Sequence, residues 1–194
     1  MNSEPLIWWS ALSSNWQKAF LDTCNGHDTE LNPFLELIQI RSVFRFAGPR
    51  APYPNMDFEI SDISGIVDLL NIEILVLTHH QIKDLKGIDK LKNLKSLFIL
   101  DNQIQNLEPL QFCANLEELY FQNNEVISLE PLARLDRLHT IYACDNKIEN
   151  LSGIHKNHTR LKNFIVRPNE QLPYSEILKF ELETGIECKK TSMK

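Results

Sequence analysis

Six histidines and four cysteines are the residues of this 194-residue chain with the widest chemical repertoire, and their spacing decides what they can do. His79 and His80 are adjacent, at the exit of the apolar run ILVL that starts at Ile74. Neighbouring strand residues point to opposite faces, so the pair is badly placed to ligate one metal ion. His27 and His139 stand apart, and His155 and His158 are three residues apart, outside any HxxxH or HExxH arrangement. Cys24, Cys113, Cys144 and Cys188 are scattered with no metal-ligand or disulfide spacing. Cys144 lacks a positioned base and reads as a plain surface or partly buried thiol. No GxxxxGK phosphate loop and no GxSxG elbow occurs. These residues lead us to expect no catalytic group, no metal site and no cofactor.

The pattern that does recur is longer than any of these motifs. LFILDNQI, from Leu97, returns as LYFQNNEV from Leu119 and as IYACDNKI from Ile141, at an offset of 22 residues each time. With the first apolar residue of LKSLFILDNQIQNLEPLQFC as position 1, units start at Ile72, Leu94, Leu116 and Leu138, and at Leu161 after one extra residue. Position 4 is then Leu75, Leu97, Leu119, Ile141 and Phe164, and position 6 is Leu77, Ile99, Phe121, Ala143 and Val166. Apolar columns also run through position 11 (Ile82, Ile104, Val126, Ile148), position 14 (Leu85, Leu107, Leu129, Leu151) and position 17 (Ile88, Leu110, Leu132, Ile154). One such unit cannot bury its apolar face alone, so the units must stack, each short strand pairing with the next in a parallel sheet.

Position 9 carries Asn102, Asn124 and Asn146, where the chain leaves the strand and turns inward. Asn has both a donor and an acceptor and can satisfy turn amides that lack sheet partners. The first unit has His80 there, which can do part of this work. The phrase LxxLxxLxLxxNxI at this period resembles the leucine-rich repeat superfamily, in the short subclass seen in protein phosphatase 1 regulatory subunits and bacterial internalin-type proteins. The resemblance covers Asp57 to Arg167. It implies an α/β solenoid with its parallel sheet on the concave face, an Asn ladder, and the binding of another protein as the usual activity.

The two ends of the stack need covers. Residues 1–49 read as a helical cap: SSNWQKAFLD has Ser13 or Ser14 as a helix cap and Leu12, Trp16, Ala19 and Phe20 at helical spacing. In LNPFLELIQI, Asn32 precedes Pro33 at a first helical position, with Leu31, Phe34, Leu35 and Ile38 on one face. The pair Trp8-Trp9 belongs either to this cover or to an exposed contact. Residues 50–167 read as the solenoid. Its first turn is degenerate, because Ile60, Ile63, Ile66 and Leu69 fit the columns but RAPYPNMDF replaces the strand with two prolines. SVFRF, 42–46, reads as a short edge strand before it. Residues 168–194 read as a cap helix, with Tyr174, Ile177, Leu178 and Glu181 along one side and Gly185 as its stop, followed by a flexible tail, ECKKTSMK.

The composition, 43% apolar and 24% charged with a net charge of -6, is that of an ordinary globular domain. No basic opening followed by a long apolar run is visible, so neither a secretory signal nor a membrane span is expected. Scattered cysteines fit a reducing compartment, and a cytoplasmic location is the expectation. The acidic balance argues against nucleic acid as a partner, and the locally basic LKGIDKLKNLK reads first as solvated turn surface.

If positions 4 and 6 point into the core, positions 3, 5 and 7 point out onto the concave face. Position 5 runs Val76, Phe98, Tyr120, Tyr142 and Ile165, an apolar and aromatic column with an acidic and amide edge at position 8 (His79, Asp101, Asn123, Asp145). The residues expected to contact a protein partner are Phe98, Leu100, Asp101, Glu118, Tyr120, Gln122, Asn123, Tyr142, Cys144 and Asp145. Three accounts of the aromatic column stay open: partner binding, self-stacking alone, and cover by a terminal segment or a second copy of the chain. The corresponding functions are a protein-interaction module, a self-assembling structural protein, and more remotely a ribonucleoprotein-associated scaffold or an enzyme.

Overall fold

The computed structural model describes residues 4–24 and 30–191; His27 and the last three residues of the tail lie outside them. Among the described residues seven strands form one sheet in strict chain order. They are β1 (Val43–Ala47), β2 (Ile74–Thr78), β3 (Ser96–Phe98), β4 (Glu118–Tyr120), β5 (Thr140–Tyr142), β6 (Asn163–Arg167) and β7 (Cys188–Lys190). Every pair is parallel, so each strand must return along the far side before the next begins. Three returns contain a 3-10 turn, at Ile88–Lys90, Glu108–Phe112 and Glu130–Leu132, and the last two place Pro109 and Pro131 in the first turn, where a missing N–H goes unnoticed.

The pairing register follows the sequence period. Leu75 lies opposite Leu97, Leu97 opposite Leu119, Leu119 opposite Ile141, and Ile141 opposite Phe164. Positions 4 and 6 are wholly inside, and positions 11, 14 and 17 complete one continuous core. Two further columns fix the turns, one within each turn and one between neighbours. Asp62, Asp84, Asn106, Ser128 and Asn150 each accept from the backbone N–H two residues on. Asn93 and Asn115 each donate to a carbonyl one unit back, and Asn71 to the Gln39 carbonyl of the N-terminal cap.

Among its described residues the N-terminal cap holds three helices, not two: α1 (Glu4–Ala11), α2 (Ser14–Thr23) and α3 (Leu31–Ile40). Ser13 caps α2 by accepting from the Trp16 N–H at 3.3 Å. Trp16, Ala19 and Phe20 are buried as the spacing demands, and the Trp16 ring packs on Phe46 of β1. The start of α3 falls earlier than Asn32-Pro33 suggests, with Glu30 at the cap position, and Leu31 is left exposed while Phe34, Leu35 and Ile38 are buried. Trp8 and Trp9 lie on α1 and pack edge-on against Phe20 and Phe34, so they belong to the cover.

The sheet is longer than the repeat columns at both ends. SVFRF is the missing strand of the degenerate first unit, because Phe44 lies opposite Leu75 and Phe46 opposite Leu77. The segment that follows it, containing Pro52 and Pro54, is an insertion that separates this strand from Ile60. That insertion closes the free edge of β1 with one side chain: Asn55 accepts from the Ala47 N–H at 2.8 Å and donates to the Arg45 carbonyl at 2.7 Å, as a neighbouring strand would. Gly48 is required where the insertion leaves β1, since a Cβ there would sit 2.1 Å from the His79 carbonyl oxygen.

At the other end α4 (Tyr174–Thr184) stops at Gly185 in the left-handed region, as expected. Its buried face differs from the expected one. Ile177 and Phe180 face the core, while Tyr174 and Leu178 are exposed. The tail does not leave the fold at once: Cys188–Lys190 adds a seventh strand, its Cys188 buried and its Cys188 N–H held by the Glu181 carboxylate at 2.8 Å.

Candidate functional site

The strand phase puts one row of side chains in the same place on every strand. Phe98 pairs with Tyr120 and Tyr120 with Tyr142 in register, and their rings stack with centroids 4.5 and 4.7 Å apart at interplanar angles of 13° and 20°. These separations follow from strand spacing, so stacking is built into the sheet. The rings keep an exposed outer edge, being half-buried. Val76 extends the row on one side and Ile165 on the other, and the register adds Arg45 and Lys189 at the two ends. Burial, then the Glu118 carboxylate, push the Tyr120 phenol above its ordinary value, which keeps it a neutral hydrogen-bonding group.

The polar flanks are tied to each other. Ser96 Oγ donates to Glu118 at 2.7 Å. Asp101 accepts from the Asn123 side-chain amide and lies 3.4 Å from His79 Nε2. Position 8 has a backbone reason for its composition: His79, Asp101, Asn123 and Asp145 all have φ between 55° and 59°. His, Asp and Asn are the side chains that tolerate the left-handed region best, so this column is set by the turn before any partner is considered.

One expected contact residue needs correction. Cys144 is 1% exposed and cannot present a thiol to a partner; burial, followed by its bond to Asp145, pushes that thiol up to about 12. Gln122 is half-buried like most of the face, and its Oε1 is buried with no donor among the described residues. Phe98, Leu100, Asp101, Glu118, Tyr120 and Tyr142 are half-buried, and Asn123 and Asp145 are exposed.

The Asn ladder runs beneath this face. Asn102, Asn124 and Asn146 accept from the N–H of Ile82, Ile104 and Val126 at 3.1, 2.9 and 3.0 Å. Their amide nitrogens donate to carbonyls of their own turn and of the unit before. Asn169 adds a fourth member at position 9 of the fifth unit, which the same count from Leu161 would have found. His80 completes the series at the other end. Its Nδ1 accepts from the Ile60 N–H at 3.4 Å and its Nε2 faces the Phe46 carbonyl at 3.3 Å.

His80, His155 and His158 thus have structural surroundings. His80 is inside while His79 sits in the turn. His155 and His158 each face a carbonyl, of Ala133 and Leu132, at 3.0 and 3.2 Å, although their rings lie only 4.5 Å apart. Among the described residues no group of three or more His, Cys, Asp or Glu is arranged to hold a metal ion, and no helix is long and apolar enough to cross a membrane.

A single parallel sheet that adds one strand per 22-residue unit, with an internal Asn ladder, defines a repeat solenoid. The leucine-rich repeat family model, which spans two copies of the repeat, matches residues 92–134 and 114–154. Among solved structures, an internalin, inlF, from Listeria monocytogenes is 25% identical with a TM-score of 0.49, over 54% of this chain and 30% of that chain. Internalin C2 from the same organism is 26% identical with a TM-score of 0.42, over 63% of this chain and 73% of that one. A leucine-rich repeat protein of Leptospira interrogans has the same fold with a TM-score of 0.58 at 20% identity, over 81% of this chain and 47% of that one. The chain therefore spans less than a third of inlF and about half of the Leptospira protein. No curated protein matches its sequence. Residues 92–154 match leucine-rich repeats, and the chain has the fold of leucine-rich repeat proteins. Such proteins generally mediate protein–protein interaction and are typically non-catalytic.

Proposed function

We propose that this chain is a non-catalytic module that binds a protein partner on the concave face of its sheet. The observation that carries this reading is the continuous row Val76, Phe98, Tyr120 and Tyr142, which the buried Ile165 ends. Positions 4 and 6 already fill the core, so this row is surplus to core packing, and three of its rings keep an exposed edge. An amphipathic aromatic strip rimmed by polar groups held in place by their own hydrogen bonds is the composition of a binding patch. The four cysteines are all unpaired and buried, which supports a reducing, cytoplasmic setting.

The test is site-specific photocrosslinking in cells. A photoreactive group at Asp145, on the rim of the face, should capture a discrete protein, and the same group at Ile127, on the outer side, should not. Tyr120→Ala should abolish the capture from Asp145. Equal capture from both positions would sink the proposal. Capture of the chain by itself, with a dimer in sedimentation, would replace it by self-assembly.

A further inference from the structure

We propose that the cavity where the concave face meets the C-terminal cap is an oxyanion pocket. It takes a carboxylate or phosphoryl group carried by the protein partner, and in naming that carrier it rests on the concave-face reading. The cavity has a volume of about 410 Å³ and opens between the ends of β6 and β7 and the first turn of α4. Arg167 occupies position 7 of the fifth unit, the outward phase of the strand, and Lys190 lies opposite it in the register. Two cations are thus set side by side on adjacent strands, an arrangement that is unfavourable until an anion lies between them.

Neither cation makes an ion pair among the described residues. Where cations on this molecule do pair, the partner is close at hand: Lys90, Lys95 and Lys147 each meet a carboxylate of the preceding unit, and Arg50 meets Glu59 of its own unit. The neighbouring Lys189 is already engaged, donating to the Lys162 carbonyl and to Asn163. Arg167 is steered instead by an aromatic ring, its guanidinium carbon 5.7 Å from the centroid of Tyr174. A ring contact uses the face of a guanidinium and leaves its in-plane N–H groups for a planar, two-oxygen acceptor. Leu172 and Ile177 give the cavity an apolar floor, which strengthens a charged hydrogen bond by excluding water.

The experiment needs no partner. The full chain is titrated with sodium acetate and, separately, with inorganic phosphate, at constant ionic strength, following backbone and side-chain amide signals by NMR. Saturable shifts are expected at Arg167, Asn169 and Thr191, with either anion or both; the anion that saturates identifies the group accepted. The double variant R167A/K190A should keep the thermal midpoint and raise the apparent Kd at least tenfold. Linear shifts spread over all lysine-bearing turns, or the same saturation in the double variant, overturn the pocket. Saturation that depends on Arg167 and Lys190, in a protein whose Tyr120→Ala variant still captures its partner, would uphold the pocket and reject the concave reading.

Discussion

His80 makes the stability of the first turn depend on pH in a way that can be isolated. Its Nδ1 accepts from a buried backbone N–H, so the ring proton must reside on Nε2, where it donates to the Phe46 carbonyl. Protonating Nδ1 would set a second N–H against the Ile60 N–H in a site that is 1% exposed. Burial pushes the imidazole down from 6.5 to about 4, with His79 and Arg50 adding to the effect and the Phe46 carbonyl and Glu59 opposing it. The unfolded chain therefore takes up a proton first. Stability from this group is complete above pH 6.5 and is lost as the pH falls toward 4. At 1.36 kcal/mol per pH unit the loss approaches about 3 kcal/mol, a large share of a domain's usual 5–15 kcal/mol. Carboxylates such as Glu59 also lose stability at the acid end, so the comparison must be with His80→Asn, which places the ladder's own residue there and does not titrate. Urea midpoints at several pH values between 7 and 4 should diverge, the wild type losing about 3 kcal/mol more than the variant. Parallel curves would refute the assignment of His80 to the ladder.

Asn124→Ala should strand the Ile104 N–H and the carbonyls of Ile99 and Phe121 at the centre of the array, destabilising by roughly 1–3 kcal/mol in urea unfolding, with Lys86→Ala unchanged. Phe121→Ala should cost about 3–5 kcal/mol as a core truncation. Tyr120→Ala should cost about 1–3 kcal/mol, because it removes two ring stacks and no core volume; equal losses in thermal unfolding would mean that the outer face is buried too. All four thiols should resist alkylation in the native protein and react after unfolding, since Cys113, Cys144 and Cys188 are buried and held near 11 or 12; rapid native labelling of Cys144 would restore it to the accessible face.

The sequence by itself determined the repeat. Columns at positions 4, 6, 11, 14 and 17 needed only a period of 22 residues to become a core, and Asn102, Asn124 and Asn146 needed only their shared place to become a ladder. Local chemistry sufficed there, because each unit meets only its neighbours and the same contact is written several times. Where a contact is made once, counting residues had nothing to repeat. SVFRF is joined to its unit through an insertion that breaks the period, and only pairing with β2 reveals it as the first full strand. Cys188–Lys190 carries a single buried side chain, too little pattern for a strand until β6 offers an edge. On α4 the sets Tyr174/Leu178 and Ile177/Phe180 are adjacent helical faces, and the position of Phe164 on β6 decides which one turns inward. The concave face shows the same division. Its phase and its aromatic row were legible from strand alternation, whereas the burial of Cys144, the left-handed turn behind Asp101, Asn123 and Asp145, and the meeting of Arg167 with Lys190 exist only once neighbouring strands are in register.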